Sequence, residues 1–265
     1  MDILSTLPNL SGQVVWVTGA GSGIGQSIAL AFMREGCRVA VSGRTPATLA
    51  DTEALARDAG GEVLAVSADV ADARSVAQAH GVILERLGEV DVLVNSAGVN
   101  VLRRYWRDLS PEDMGNIVDV NLKGPFNCSL VVLPTMRARR SGLLIHIVSN
   151  AAAGIYPGVG PSYTASKHGA RALSATINAE EGIHGIRSVC INPGAVATPF
   201  QKSRPGAPSA ADLALMAQPA DIAAAAVMAA RMPARTCMAE ILITPTDNHI
   251  HRSTARAIAA ASVGA

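Results

Sequence analysis

The stretch VVWVTGAGSGIG occupies residues 14–25 and joins two patterns end to end. Val14–Thr18 is a short apolar run rich in β-branched residues with no polar alternation, as expected of a strand buried on both faces. Glycines follow at once, and then QSIALAFMREG, a helical pattern stopped by Gly36. A strand that runs through a glycine turn straight into a helix leaves the free N–H groups and positive dipole end of that helix at the turn. That is an arrangement suited to a pyrophosphate.

Outward from this unit the rhythm repeats. Strands are predicted at RVAVS (38–42), EVLAVSADV (62–70), DVLVNSAG (91–98), LLIHIVS (143–149), IRSVCIN (186–192) and EILIT (240–244). Helical stretches lie between them, at 46–59, 73–88, 111–120 and 122–140, then around Tyr163 and from Pro219. An irregular region with Pro199, Pro205 and Pro208 interrupts the last third. Strands parted by helices imply right-handed crossovers, hence an α/β fold: a doubly wound parallel sheet of about seven strands with helices on both faces. No linker, low-complexity tract or repeat interrupts it, so residues 1–265 read as one domain.

Composition fits that fold. Of 265 residues, 49% are hydrophobic and only 3% aromatic, so Ala, Val, Ile and Leu must build the core. A net charge of +1 argues against a nucleic-acid-binding or anionic-membrane surface. No apolar run reaches the roughly 18 residues of a membrane helix. MDILSTLPNL places an acid at position 2 with no basic region before an apolar one, unlike a signal peptide. Cys37, Cys128, Cys190 and Cys237 are widely spaced among apolar residues and form no C-x-x-C. They read as buried free thiols, and the expected compartment is cytoplasmic.

The glycine spacing is G-x-x-x-G-x-G. TGxxxGIG resembles the cofactor loop of the short-chain dehydrogenase/reductase family, in its single-domain branch. The resemblance covers about residues 12–245, with five motifs in family order, and implies a Rossmann-type fold that binds a nicotinamide dinucleotide. Gly19 would turn tightly, Gly23 would let the backbone approach the ligand and Gly25 would bring helix and strand together, with Ser22 and Ile24 completing the loop. At the end of the second strand stands Ser42-Gly43-Arg44 with no acid, and a guanidinium offers bidentate donors to a 2′-phosphate. Arg44 therefore favours NADP(H), although Ser22 stands where NADP-preferring relatives are often basic.

Asp69, followed by Val70, matches the family aspartate that contacts adenine. Asn95-Ser96-Ala97-Gly98 resembles the family's NNAG, with Ser96 for the second Asn. In NPGAVATP (192–199), Pro193 and Gly194 open an irregular turn whose Val196 and Thr198 match residues that bond the nicotinamide carboxamide.

SYTASKHGA (162–170) sets Tyr163 and Lys167 four apart, on one helix face. A phenol of pKa about 10 is a poor base at neutral pH. An ammonium one turn away is expected to favour phenolate, and the resemblance implies that it also bonds the nicotinamide ribose. Ser149 matches the serine that bonds the substrate oxygen, one residue further from the tyrosine than is usual. The competing alignment puts Asn150 in that role, but strand register through Ile145 and Ile147 favours Ser149. Asn121, in VNLKGPF, matches an asparagine at a helix break that holds a water in a proton relay to the lysine. Asn121, Ser149, Tyr163 and Lys167 would form the family tetrad.

Residues 198–218 read as a substrate lid. Phe200, Leu213, Met216 and Tyr156 could form an apolar wall; Arg103, Arg104 or Lys202 could meet a carboxylate, but each reads more readily as a solvated surface charge. His146 reads as a packed core histidine. The tail TPTDNHIHRSTARA departs from the family ending; Asp247, His249 and His251 read as surface or subunit-contact groups, with no metal expected. The resemblance implies hydride transfer between NADP(H) and an alcohol/carbonyl substrate. It also implies a homodimer or homotetramer packed through helices 111–140 and 161–184. A non-catalytic dinucleotide sensor with the same fold is the alternative.

Overall fold

The computed structural model describes residues 7–204, 206 and 208–247. In chain order the elements are β1 (Val14–Thr18), α1 (Gly23–Arg34), β2 (Arg38–Gly43), α2 (Pro46–Asp58), β3 (Val63–Ser67), α3 (Ala73–Leu87) and β4 (Val92–Asn95). Then come α4 (Pro111–Val118), α5 (Gly124–Arg139), β5 (Gly142–Ile147), α6 (Pro161–Glu181), β6 (Ile186–Pro193), α7 (Ala210–Leu215), α8 (Pro219–Arg231) and β7 (Glu240–Ile243). The strands form one sheet in the order β3-β2-β1-β4-β5-β6-β7, and every neighbouring pair is parallel.

The unbroken apolar character of β1 is explained by what covers it. Val15 and Val17 join a core with Ile28 and Phe32 of α1, Leu49 of α2 and Ile222 and Ala226 of α8. Val14 and Trp16 point the other way, into a core with Ile83 of α3, Val132 and Met136 of α5 and Leu173 of α6. Both faces are buried, so no position in the strand can be polar without a partner. Trp16 is fully buried, and its indole Nε1–H donates to Ser42 Oγ at 2.9 Å while the ring stacks on His80.

The structure differs from the sequence reading in five places. The two helices expected on either side of Asn121 are not parted by a break: α4 and α5 are joined by a π-helical turn, Asp119–Lys123. The third, fourth and fifth strands end early, at Ser67, Asn95 and Ile147 rather than at 70, 98 and 149. Just beyond the third and fifth, a polar side chain captures a backbone N–H: Asp69 Oδ1 accepts from Ala71 N, and Ser149 Oγ accepts from Ala151 N. Cys37, Cys128 and Cys190 are buried as expected, but Cys237 is exposed, because it precedes the edge strand β7. Of the tail residues, His249 and His251 lie outside the described residues. No described helix is long and apolar enough to cross a membrane.

Replacing Trp16 by Phe should leave the fold intact but strip the buried Ser42 hydroxyl of its donor. The expected loss is about 2 kcal/mol of stability, read by urea unfolding; an unchanged midpoint would show that the Trp16–Ser42 bond contributes nothing.

Candidate active site

Between β1 and β4 the sheet order reverses, and at the C-terminal ends of the strands this leaves a crevice. It is a cleft of about 590 Å³. Its near wall is the glycine turn. Gly19 has φ +64°, and a Cβ there would stand 2.6 Å from the Ala97 Cα, so the turn and the 95–98 segment touch backbone to backbone. Thr18 holds them in register: its hydroxyl donates to Val94 O (3.3 Å) and accepts from Ser96 N (3.2 Å). Gly23, at φ +57°, faces Thr198 across the cleft mouth. At the start of α1, Ser22 makes no side-chain cap and the first turn holds no acid, so its N–H groups are presented to the cleft without a competing anion. Gly43, Arg44, Thr45 and Thr48 line the far end.

The cleft continues to α6, whose Tyr163 and Lys167 both line it, with Ser149 and Asn150 beyond β5, Pro193 at the end of β6, and Gly194, Val196 and Thr198 beyond it. Lys167 Nζ lies 5.5 Å from the centre of the Tyr163 ring and donates to Ile147 O at 3.0 Å. The Ser149 hydroxyl stands within hydrogen-bonding reach of the Tyr163 phenol and lies 3.3 Å from Asn150 Oδ1. It is thus the serine that meets the tyrosine.

Asn121 does not line the cleft. Its Oδ1 accepts from Val99 N (2.8 Å), while its Nδ2 donates to Val99 O (2.9 Å) and Ser166 Oγ (3.3 Å). A Cβ on Gly98 would come within 3.6 Å of Asn121 Oδ1 and 3.7 Å of Lys167 Nζ, so Gly98 is the point where the two approach. The loop 193–198 is closed from behind, where Ala197 N donates to Ala217 O and Ala217 N to Ala195 O.

Electrostatics here depart from the simple expectation that Lys167 makes Tyr163 acidic. Lys167 is only 5% exposed, and burial pushes its ammonium down to about 8. Tyr163 keeps some ring surface on the cleft, yet burial holds its phenol above the usual tyrosine value. The bond from Ser149 and then the Arg104 and Arg204 guanidiniums pull the other way, without prevailing. Behind them His146, fully enclosed in β5, is pushed down to about 3 by burial and secondarily by Lys167, so it is neutral; Asn95 Nδ2 lies 3.4 Å from its Nδ1. His146 is the packed core residue that the sequence implied.

Other residues fall less evenly. Arg103 is exposed, but Arg104 is not the solvated charge expected of it: it is 2% exposed, lines the cleft and donates through Nε to Val101 O at 2.7 Å. Phe200 and Tyr156 form the apolar wall, the Phe200 ring 6.1 Å from that of Tyr163. Leu213 and Met216 do not reach it. Asp69, Val70, Asn95 and Ala97 are not among the residues that line the cleft. Gln201 and Arg204 line the cleft without having been singled out, since a proline-rich run gives no periodicity from which to read them.

The family model described as short chain dehydrogenase matches residues 13–208. A sepiapterin reductase from Chlorobaculum tepidum is 34% identical over 244 residues, 89% of this chain and 98% of that one. A glycine betaine reductase from Emericella nidulans is 34% identical over 257 residues, 93% of this chain, which spans only 20% of that protein's length. Among solved structures, an alcohol dehydrogenase from the archaeon Thermococcus sibiricus, complexed with 5-hydroxy-NADP, matches with a TM-score of 0.79 at 31% identity. That match covers 89% of this chain and 98% of the archaeal one. The chain belongs to the short-chain dehydrogenase family of oxidoreductases.

Proposed function

We propose that this protein reduces a carbonyl compound to an alcohol with NADPH, and catalyses the reverse reaction with NADP. One observation carries the reading: Ser149, Tyr163 and Lys167, from two different elements, converge on the same cleft that the glycine turn opens into. A sheet-end crevice lined in this way needs a ligand that is long, anionic at one end and reactive at the other.

The cleft fits a phosphorylated dinucleotide on its own chemistry. Any side chain at Gly19 would collide with backbone, the first turn of α1 offers unopposed N–H groups, and no Asp or Glu is among the described lining residues. Arg44 stands at the end of the cleft where a 2′-phosphate would need a cation, and the archaeal relative bound to 5-hydroxy-NADP supports the same choice. Gly19, Ser22, Gly23, Ile24, Gly25 and Arg44 would hold the phosphates and adenosine end. Pro193, Gly194, Val196 and Thr198 would meet the nicotinamide end. When bound, the cofactor supplies or accepts the hydride.

The chain's own residues handle the proton. Ser149 holds the substrate oxygen against Tyr163. A phenol held above its ordinary value stays protonated at neutral pH, so Tyr163 acts as the acid when a carbonyl is reduced. Lys167, fixed by Ile147 O beneath the ring, supplies positive charge as the phenol gives up its proton. Asn121 positions Val99, and with it Gly98 beside Lys167. Residues 198–218 serve as the lid. Subunit pairing through α4 and α5 would cover Met114, Phe126 and Leu130, large apolar side chains that are 43%, 47% and 65% exposed.

Three measurements test this reading. Tyr163→Phe is expected to lower NADPH-linked turnover of carbonyl compounds by roughly 10²–10⁴-fold with NADPH affinity nearly intact; retained turnover refutes the assignment. Arg44→Leu should cost on the order of tenfold in kcat/KM with NADPH and little with NADH, and equal losses would take Arg44 out of cofactor choice. The third concerns stability without nucleotide.

Below pH 8 the Lys167 proton is held by folded and unfolded chain alike, and the folded state bears the full cost of an enclosed ammonium. Between about 8 and the ordinary 10.5 only the unfolded chain holds it, so this cost fades as pH rises. Lys167→Met should therefore stabilise the protein at pH 7, by an amount on the order of 3 kcal/mol at most, and the gain should shrink toward pH 10. A variant less stable at pH 7, or a gain independent of pH, contradicts the cost assigned to Lys167.

A further inference from the structure

We infer that the substrate carries its carbonyl on a flat aromatic body, which lies against Leu102, Trp106, Ile155 and Tyr156 at the rim of the cleft. The inference rests on the redox reading above and narrows it to a substrate class. The chain has only eight aromatic residues. Trp16 and Phe32 belong to the two cores, and Phe126 lies on α5. The other five gather at one place. Tyr156, Tyr163 and Phe200 line the cleft, and Tyr105 and Trp106 directly follow Arg104, which lines it too.

Two fastened loops build this rim. Asn100 Nδ2 donates to Val159 O at 3.0 Å, and a Cβ on Gly160 (φ +82°) would stand 2.4 Å from Arg104 O. Residues 100–104 and 159–160 are therefore held against each other. The first loop carries Leu102 and Trp106, 59% and 84% exposed, and the second carries Ile155, 76% exposed. Trp106 sits on a closed turn, since Asp108 N and Leu109 N both donate to Tyr105 O, at 2.8 and 2.9 Å. Tyr156 is placed by Gly154, where a Cβ would come within 3.4 Å of the Tyr156 ring. Inside the rim, the Phe200 ring stands 6.1 Å from that of Tyr163 and tilts 45° to it.

Large exposed apolar side chains are ordinarily scattered singly, and a group of them beside a cleft marks a binding surface. Val, Ile, Leu and Ala dominate both cores, so packing makes little demand on rings, and their concentration here points to a ligand. With the dinucleotide along the glycine-lined length and the reacting carbonyl at Ser149 and Tyr163, the rest of the substrate is directed toward the two loops. The faces and edges of Trp and Tyr rings are matched best by another flat ring, stacked with an offset or met edge-on. A small aliphatic ketone, held by its oxygen, presents no ring to these side chains.

The test pairs each aryl ketone with its ring-saturated counterpart: acetophenone with cyclohexyl methyl ketone, and 2-acetylnaphthalene with 2-acetyldecalin. Calorimetry on the NADP-loaded protein reads affinity without turnover, and NADPH oxidation reads turnover separately. Fluorotryptophan labelling gives one fluorine resonance from buried Trp16 and one from exposed Trp106, so core and rim report independently. The naphthyl ketone is expected to bind about fivefold tighter than its saturated partner and to move the Trp106 resonance but not that of Trp16. Trp106→Ala should reduce that preference to about twofold or less, and Trp106→Phe should retain more of it. NADPH affinity verifies that both variants are folded.

Saturated ketones binding as tightly as aryl ones, a Trp106 resonance unmoved by bound aryl ketone, or a preference intact in Trp106→Ala overturns the inference. So does a Trp106 resonance that shifts with protein concentration and no further on adding ketone, since a second copy then covers the rim. Failures of the two readings are separable. Preferential aryl ketone binding at Trp106 without NADPH oxidation by any probe removes the redox reading and keeps the aromatic site. Equal binding and reduction of aryl and saturated ketones does the reverse.

Discussion

A lysine ammonium that is 5% exposed, tied to one carbonyl and set beneath an aromatic ring, is the constraint around which this site is arranged. Charge in such a place is unfavourable, and burial lowers the affinity of Lys167 for its proton accordingly. What makes the arrangement possible is that the surrounding geometry leaves the ammonium nowhere else to go. The Ile147 carbonyl lies past the last β4–β5 pair, Asn95 with His146, Gly98 leaves room above Nζ, and Asn121 holds the Val99 backbone next to Gly98. The π-helical turn at 119–123, placed between two ordinary helices, brings Asn121 to that task.

The same recess shows how several like charges can share one cavity. Arg44, Arg104, Lys167 and Arg204 line a single cleft whose described lining holds no Asp or Glu. Positive charge near Tyr163 favours its ionised form and burial opposes it; burial is the larger effect, so the phenol rests as an acid. A cleft of this sign suits the phosphates of a dinucleotide at its glycine-lined end.

Much of this was legible from residue order. Val14–Thr18 followed by Gly19, Gly23 and Gly25 specifies strand, turn and helix, because the apolar run and the glycines are local demands of backbone geometry and two-sided burial. Tyr163 and Lys167 share a face through helix geometry alone. Strand lengths were less legible: past Ser67 and Ile147 the chain turns into local bonds, with Asp69 and Ser149 accepting from Ala71 N and Ala151 N, and such turns depend on fixed side-chain conformations.

Charge was the least legible quantity. Arg103 and Arg104 are adjacent and chemically identical, yet one is in solvent and the other enclosed, because only the folded loop determines which side chain turns inward. Gln201 and Arg204 lie in a proline-rich segment without period, and they become part of the site only where that segment crosses the end of the sheet. The chain's order thus determined the parallel α/β sheet, the glycine cradle and the tyrosine–lysine pair, since each follows from spacing along a single element. Tertiary structure decided that Ser149 rather than Asn150 meets the phenol, which arginines face it and whether its proton stays, since burial and the field of distant charges exist only once the chain has folded.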